Sequence, residues 1–370
     1  MNPKMLKGLD RLVGPVLARL FPKRRAVSGN PAPLSLLVVR PGGIGDAVLL
    51  VPALRALQAA YPGCRIDLLA ERRNAAAFLL VPGIRTVYRY DTLSGLAAVL
   101  LGRYDLVIDT EQWYRLSALL ARLIRAPRSI GFAGNERTEL FTDPVCYDRK
   151  LYEACCFFRL LEPLGIPEPA TIETPFLTLS AAAAQAAERL VAPLLDKPFV
   201  ALFPGASIRE KQWGSAKFRE LVGRLAAAEI KVVIVGGEDC RQAGEEIAGD
   251  GLALNLAGRA SLLETAALLG KGRVLVSGDS GLLHIAAGLG RPTVSLFGPS
   301  DPGKWSPKGE RHVVFGAHLP CAPCSLFGTI SPCARHTGCL DQIVPSEVAD
   351  AVLRLWKRYP DAPAPTPPLL

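Results

Sequence analysis

No apolar run in this chain reaches the roughly 18 to 20 residues that a bilayer-spanning helix needs. The nearest approaches, 96–101 and 181–195, are too short or too polar, so the body is expected to be soluble. The N-terminus has no long hydrophobic core and no small-residue cleavage pattern, which argues against a secretory signal. Helix-turn-helix, zinc-finger and aromatic RNA-reading sequences are also missing. A net charge of +9 suits polyanions, yet the basic residues are scattered and only Lys23-Arg24-Arg25 and Arg72-Arg73 are compact groups. Nucleic acid is therefore not the expected partner; phosphorylated small molecules or an anionic membrane surface are.

What is present is enough for two domains: 370 residues, 49% of them apolar and 21% charged. Met5, Leu6, Leu9, Leu12, Val13, Val16, Leu17, Leu20 and Phe21 recur at helical spacing among Lys4, Lys7, Arg11, Arg19 and Lys23–Arg25. Two readings of this basic amphipathic helix stand: it lies on a membrane, or it packs on the main body, partly broken by Pro15. Leu36–Val39 reads as a buried strand of a parallel sheet. A turn Pro41–Asp46 follows, then a helix over 47–60, then strands over 66–70, 86–90 and 106–109, with a helix over 116–124 among them. A second series begins after an alanine-rich helix over 181–195. Its strands lie at 199–203, 232–235 and 274–277, and its helices at 215–228, 239–247 and 262–269. Alternation of this kind predicts an α/β class with two Rossmann-like, doubly wound domains facing across a cleft.

The turns after the strands carry the chemistry. Gly43-Ile44-Gly45 has Val48 where a dinucleotide fingerprint wants its third glycine, and no P-loop Lys-Ser/Thr follows. Asp46 is either a carboxylate offered to a ligand beside three glycines or an acid stabilising a helix dipole. Pro204-Gly205-Ala206-Ser207 with Lys211 offers amides, a hydroxyl and a charge to a diphosphate, and Trp213 is expected to pack and hold that loop. Gly236-Gly237-Glu238-Asp239 places acids near where a ribose would sit, with helix capping by Asp239 as the alternative. Asp279, between Gly278 and Ser280-Gly281, is a ligand-binding acid or a plain helix cap. The small residues of the helix after it would let it pack closely beneath a ligand.

The order Arg40-Pro41-Gly42-Gly43-Ile44-Gly45-Asp46, Pro204-Gly205-Ala206-Ser207 with Lys211-Gln212-Trp213, Asp279-Ser280-Gly281-Leu282-Leu283-His284 and Phe297-Gly298-Pro299-Ser300-Asp301-Pro302 resembles glycosyltransferase family 9, the ADP-heptose:lipopolysaccharide heptosyltransferases. The resemblance runs over roughly 36–355. It implies a GT-B enzyme that inverts the anomeric carbon, needs no cofactor for its chemistry, and moves heptose from ADP-heptose to the lipopolysaccharide inner core on lipid A. Asp46 then falls on the catalytic base. Ser207 and Lys211 fall on the diphosphate site, and Asp279 on the acid that binds the donor sugar. Ser280, Gly281, Leu282 and His284 belong to the same donor segment. The adenine is implied at Gly258–Leu262, including Arg259 and Ala260, while Glu238 and Asp239 compete for the ribose. Acceptor contacts vary within the family; Gly43, Gln112, Arg115, Arg128 and Arg137 are the candidates for a wall facing an anionic acceptor. Another nucleotide sugar or a protein acceptor is the alternative chemistry. A non-catalytic nucleotide-sugar-binding or metal-bound scaffold is the alternative of another class, although a scaffold has no need of Asp46.

Cys321, Cys324, Cys333 and Cys339, with two, eight and five residues between them, look like a tetrathiolate knot for Zn²⁺ or iron. Reduced thiols and disulfides are the other states such a loop can take, and His336 is a neighbouring or substitute ligand. Cys64, Cys146, Cys155, Cys156 and Cys240 read as dispersed, buried thiols of a reducing cytoplasm. The expected organisation is a basic segment 1–30, an acceptor domain 31–180 with the base, a donor domain 181–358 with the Cys-rich loop 318–340, and a disordered tail 359–370. The expected place of work is cytoplasmic, peripheral on the inner membrane.

Overall fold

The computed structural model describes residues 3–24, 32–249, 251–316, 319–325, 330, 333 and 338–360. The chain divides into two compact units, Met1–Ile172 and Glu173–Leu370. The division falls before residue 180 because Phe176 and Leu177 donate their backbone N–H groups to the Gly288 carbonyl, at 2.9 and 3.1 Å, and so join the second unit.

The first unit holds six parallel strands: β1 Ser35–Arg40, β2 Arg65–Ala70, β3 Ile84–Arg89, β4 Leu106–Asp109, β5 Arg128–Ala133 and β6 Asp143–Cys146. Their order in the sheet is β3-β2-β1-β4-β5-β6. The second unit repeats the plan with β7 Phe199–Phe203, β8 Lys231–Ile234, β9 Leu254–Asn255, β10 Val274–Gly278, β11 Thr293–Phe297 and β12 His312–Gly316, in the order β12-β11-β10-β7-β8-β9. Read from the other edge, the two orders are the same. Each chain path starts in the middle of its sheet, works to one edge, and returns to work to the other. The crevice where the order reverses lies beside β1 and β4 in one unit, and beside β7 and β10 in the other. Open α/β sheets bind ligands there, past the carboxyl ends of the strands.

The middle strands are buried along nearly their whole length, as expected when helices cover both faces. In the first unit Leu37, Val39, Leu69 and Val107 pack against Ala118, Leu119 and Ala121 of the helix Arg115–Leu123, and Ala18 of the N-terminal helix joins them. In the second, Val200, Leu202, Val232 and Ile234 meet Phe218, Leu221 and Leu225 of the helix Ser215–Ala227 and Val348, Val352 and Leu355 of the helix Pro345–Arg358. Each of the Val, Leu, Ile and Phe side chains among them contributes about 1.5–3 kcal/mol through burial.

Several expected boundaries moved. The first βα helix spans Ile44–Ala60, starting before residue 47 because extended Gly43 caps it and Asp46 sits at its third position. The alanine-rich helix ends at Val191 and tightens into a 3₁₀ turn over Ala192–Leu194, where Pro193 lacks the N–H a continuing helix needs. A 3₁₀ turn Glu238–Cys240 precedes the helix Arg241–Ala248, so Asp239 caps no helix. The N-terminal helix runs through Pro15 unbroken, over Pro3–Leu20. The segment 361–370 and His336 lie outside the described residues.

Candidate functional site

In the second unit, the two turns at the reversal point converge. After β7 the chain passes Pro204–Ile208 into a 3₁₀ turn, Arg209–Lys211. After β10 it enters the helix Gly281–Gly288 through Asp279 and Ser280. Lys211 Nζ donates to Asp279 Oδ2 at 2.6 Å, with side chains 14% and 11% exposed. The pair is thus nearly sheltered yet still reachable. Burial alone would raise the Asp279 carboxyl, but the Lys211 ammonium, the Ser300 hydroxyl and His284 outweigh it and hold it below its ordinary value. Gly278 permits this approach, since a Cβ there would lie 3.2 Å from the Lys211 carbonyl.

Asp279 is not the helix cap. That role belongs to Ser280, whose hydroxyl accepts from the Leu283 N–H at 3.2 Å and pairs with Ser277 at 2.8 Å. Trp213 does hold the loop: its indole N–H donates to the Ile343 carbonyl at 3.1 Å and its ring meets Phe218 edge-on at 4.9 Å. The glycine at the end of the helix after Asp279 has a structural partner. A Cβ on Gly288 would come within 2.7 Å of Phe176, so this position is small to admit the 173–179 segment rather than to lie beneath a ligand.

The remaining donor candidates line the same carboxyl edge. Ser207 is exposed, Gly281 half-buried, and Leu282 and His284 are buried in the first turn of their helix. Glu238 is exposed, pairs with Arg241 at 2.7 Å, and abuts Gly258, whose left-handed backbone (φ +75°) turns the chain into Arg259 and Ala260. The turn implied for adenine and the acid implied for ribose are therefore neighbours. Asp239 sits instead beside Cys240, whose thiol is pushed up to about 11 by burial and by that carboxylate.

The first unit's reversal point is built differently. Gly42 takes a left-handed conformation (φ +122°), and its N–H donates to Glu71 Oε1 at 3.0 Å; the Tyr90 hydroxyl donates to the same oxygen at 2.6 Å. Glu71, just past β2, clamps the turn that presents Asp46. Asp46 Oδ2 accepts the Gly43 N–H at 3.2 Å, so it serves the helix terminus while staying half-exposed. Beneath it lies fully buried Arg40, which donates to the Thr110 carbonyl at 2.8 Å and the Pro41 carbonyl at 2.6 Å, with Glu111 3.8 Å away. Burial opposes the Arg40 charge, yet the surrounding carboxylates of Asp46, Glu111, Glu153 and Asp109 hold its pKa above the usual value. Glu111 itself is raised by burial, against the pull of Arg40 and Arg137.

Of the acceptor candidates, Arg137 and Gln112 are bound into this support, whereas Arg128 stands at the opposite, amino end of its strand. Arg137, with no exposed surface, donates to Asp109 at 2.9 Å, to the Glu111 carbonyl at 2.6 Å and to Ser117 at 3.0 Å. Gln112 donates to buried Glu153, which also accepts from the Tyr147 hydroxyl at 2.7 Å. Arg115 bonds Glu136 at 2.7 Å, and Arg128 makes a two-pronged pair with Asp143 at 3.0 Å. Gly43 stands at the turn itself.

Glu71, Glu111 and Glu153 were missed from the sequence, and Arg40 stood there only as the first residue of a motif, with no role; these are the four residues that hold the turn. A signal existed for three of them: charged residues at the end of, or just beyond, apolar strands, where an α/β sheet keeps its ligand edge.

Cys321, Cys324, Cys333 and Cys339 line one cavity of about 20 Å³, room for a single water-sized occupant. Burial and the neighbouring Cys321 and Cys333 thiols raise the Cys324 thiol. Among the described residues, no three His, Cys, Asp or Glu side chains are placed as a metal site. The loop docks on the carboxyl edge of the second sheet, since Cys324 and Ser325 donate their N–H groups to the Pro299 carbonyl at 2.9 and 2.8 Å.

The family model described as glycosyltransferase family 9 (heptosyltransferase) matches residues 96–333. Among curated proteins, lipooligosaccharide heptosyltransferase 2 of Haemophilus influenzae is 26% identical over 312 residues, 76% of this chain and 88% of that protein. Lipopolysaccharide heptosyltransferase 1 of Pseudomonas aeruginosa is 28% identical over 319 residues, 79% and 86% of the two chains. The solved ADP-heptose lipopolysaccharide heptosyltransferase II of Escherichia coli superposes with a TM-score of 0.74 at 23% identity, over 88% of this chain and all of that one. This likeness shows the shared fold.

Proposed function

Because the chain belongs to glycosyltransferase family 9, we propose that this glycosyltransferase moves a heptose from ADP-heptose to the inner core of a lipopolysaccharide, at the inner-membrane surface. The observation that carries the reading is the Lys211–Asp279 pair at the reversal point of the second sheet. It offers one cation and one ionised acid side by side, as a sugar diphosphate requires. Lys211 and the Ser207 hydroxyl meet the phosphates and stabilise the charge that grows on departing ADP. Asp279 accepts hydrogen bonds from the sugar hydroxyls, at a segment continued by Ser280, Gly281, Leu282 and His284. Glu238 faces the ribose, and Arg259 and Ala260 the adenine.

Asp46 acts as the base. An acceptor hydroxyl oxygen forms a bond to the anomeric carbon as the bond to the diphosphate oxygen breaks; ADP leaves with the electron pair and Asp46 takes the proton. Gly43 and the 111–115 turn form the acceptor wall, with Gln112 and Arg115 on that turn. Arg137 contributes by holding it, having no surface of its own. Four thiolates suit Zn²⁺ or iron. Cys321, Cys324, Cys333 and Cys339 would hold such an ion as a clamp on the Pro299 turn, and no step of transfer passes through it. Elemental analysis is expected to give about one ion per chain; a metal-free, fully active protein removes the clamp.

The decisive test is a donor screen on purified protein with a lipid A core acceptor, read by product mass. A gain of one heptose from ADP-heptose, and no gain from uridine-diphosphate sugars, is expected. Transfer from another donor alone would overturn the assignment of the sugar.

A further inference from the structure

The N-terminal helix docks on the first unit by a face of small residues and one acid. Asp10, 1% exposed, accepts the Leu116 N–H at 2.7 Å and lies 3.6 Å from the Arg115 guanidinium. Gly14 sits against Arg115, where a Cβ would come within 3.0 Å of its Cδ, and Ala18 is 2% exposed in the core. Residues 10, 14 and 18 are one helical face. The opposite face carries Leu9, Leu12, Val16 and Leu20, exposed by 46, 79, 59 and 72%. A surface helix ordinarily buries its apolar stripe; this helix leaves four large apolar side chains outside.

We propose that this outward stripe seats the protein on an anionic lipid surface, the helix lying in the plane of the headgroups. Charge selects the occupant. Residues 1–25 contain seven Lys and Arg and one Asp, a net +6 of the chain's +9, and the one acid is the buried Asp10. Arg11 is exposed, and the side chains of Arg19 and Lys23 are 71% and 73% exposed even while they meet Glu136 and Glu139. A second copy seated on the stripe would bring two +6 segments together, whereas anionic headgroups attract them. No helix among the described residues is long and apolar enough to cross a membrane, so the stripe serves a helix that lies on the surface. The inference deepens the proposed place of action and rests on that reading only in supposing a lipid-borne acceptor; lipid binding is measured with neither donor nor acceptor present.

The experiment is co-sedimentation of the full chain with phosphatidylethanolamine vesicles containing about one-third phosphatidylglycerol, and with phosphatidylcholine vesicles. Binding to the anionic vesicles, weakened by salt, is expected, and a Leu12→Glu, Val16→Glu double variant should lose about tenfold or more of it. Both sites face solvent, so the variant should keep the wild-type melting temperature, ADP affinity and turnover on a delipidated acceptor. A Leu12→Trp variant should show blue-shifted emission on anionic vesicles only. Equal sedimentation of wild type and double variant overturns the proposal. So does a vesicle-indifferent wild type that forms a dimer in the ultracentrifuge which the double variant cannot form. No product from the delipidated acceptor, with vesicle binding intact, would count against the transferase reading alone.

Discussion

The turn after β1 and the turn after β7 hold the same place in the same topology, but one stands on buried charge and the other displays it. At β7, Lys211 and Asp279 form a pair, 14% and 11% exposed, with Ser300 and His284 beside it and a packed Trp213 holding the loop. At β1, the displayed acid Asp46 is half-exposed, and the charges around it, Arg40, Glu111, Arg137, Asp109 and Glu153, are buried. The first arrangement leaves its charges at the carboxyl edge of the sheet, within reach of a ligand. The second commits them to holding a backbone turn, leaving one carboxylate for chemistry. On the proposed reading, the same scaffold separates binding from proton transfer by where it puts its ions.

The comparison is broken most severely by Asp46→Asn, which removes the one displayed acid of the first turn. Transfer is expected to fall by about a thousandfold or more, with ADP affinity by calorimetry unchanged; near-normal turnover would end the assignment of Asp46 as base. Arg40→Met attacks the support instead. Stranding the carboxylates of Asp46, Glu111, Glu153 and Asp109 is expected to cost about 3–5 kcal/mol in denaturant unfolding, with nucleotide binding by the second unit spared wherever the chain stays folded. A loss under about 1 kcal/mol would show that the buried network supports nothing.

The second unit has its own weak point, far from its ligand edge. His312, at the start of β12, shares a hydrogen bond with Thr293 at 2.9 Å, and burial with the nearby Arg311 charge pushes it down from 6.5 to about 4. The folded chain disfavours the extra proton, so the unfolded chain binds more of it. Stability should fall as pH drops from about 6.5 toward about 4, by up to about 3 kcal/mol. Urea midpoints across that range should flatten in His312→Asn, and an unchanged acid slope would refute the account. The smallest expected effect is that of Lys211→Met. Donor affinity should drop about ten- to a hundredfold, with transfer falling alongside it and stability moving less, because Asp279 keeps the Ser300 hydroxyl and His284 beside it.

Much of this was legible in order along the chain. The alternation of apolar strands with helices, and the glycine-bounded turns after β1, β7 and β10, identify the fold and its ligand edge, because strand period and turn chemistry are local properties. Asp46, Lys211 and Asp279 are visible for the same reason. That Asp279 is no cap was not legible: a cap and a ligand-binding acid have the same local sequence, and the structure gives the cap to Ser280 and sets Asp279 2.6 Å from Lys211, 68 residues away. Arg137 is the converse case, a basic residue in a polar turn that reads as surface and is fully buried.

The N-terminal segment divides the two kinds of knowledge most cleanly. Its amphipathic period and its +6 charge are sequence facts, because they depend only on spacing and composition. Which face turns inward was settled by tertiary structure, where the Leu116 amide and the Arg115 guanidinium draw the Asp10 carboxylate, and with it that whole face, against the body. A helix can read its own stripe from its sequence, but a hydrogen bond to a residue a hundred positions away determines which stripe remains outside.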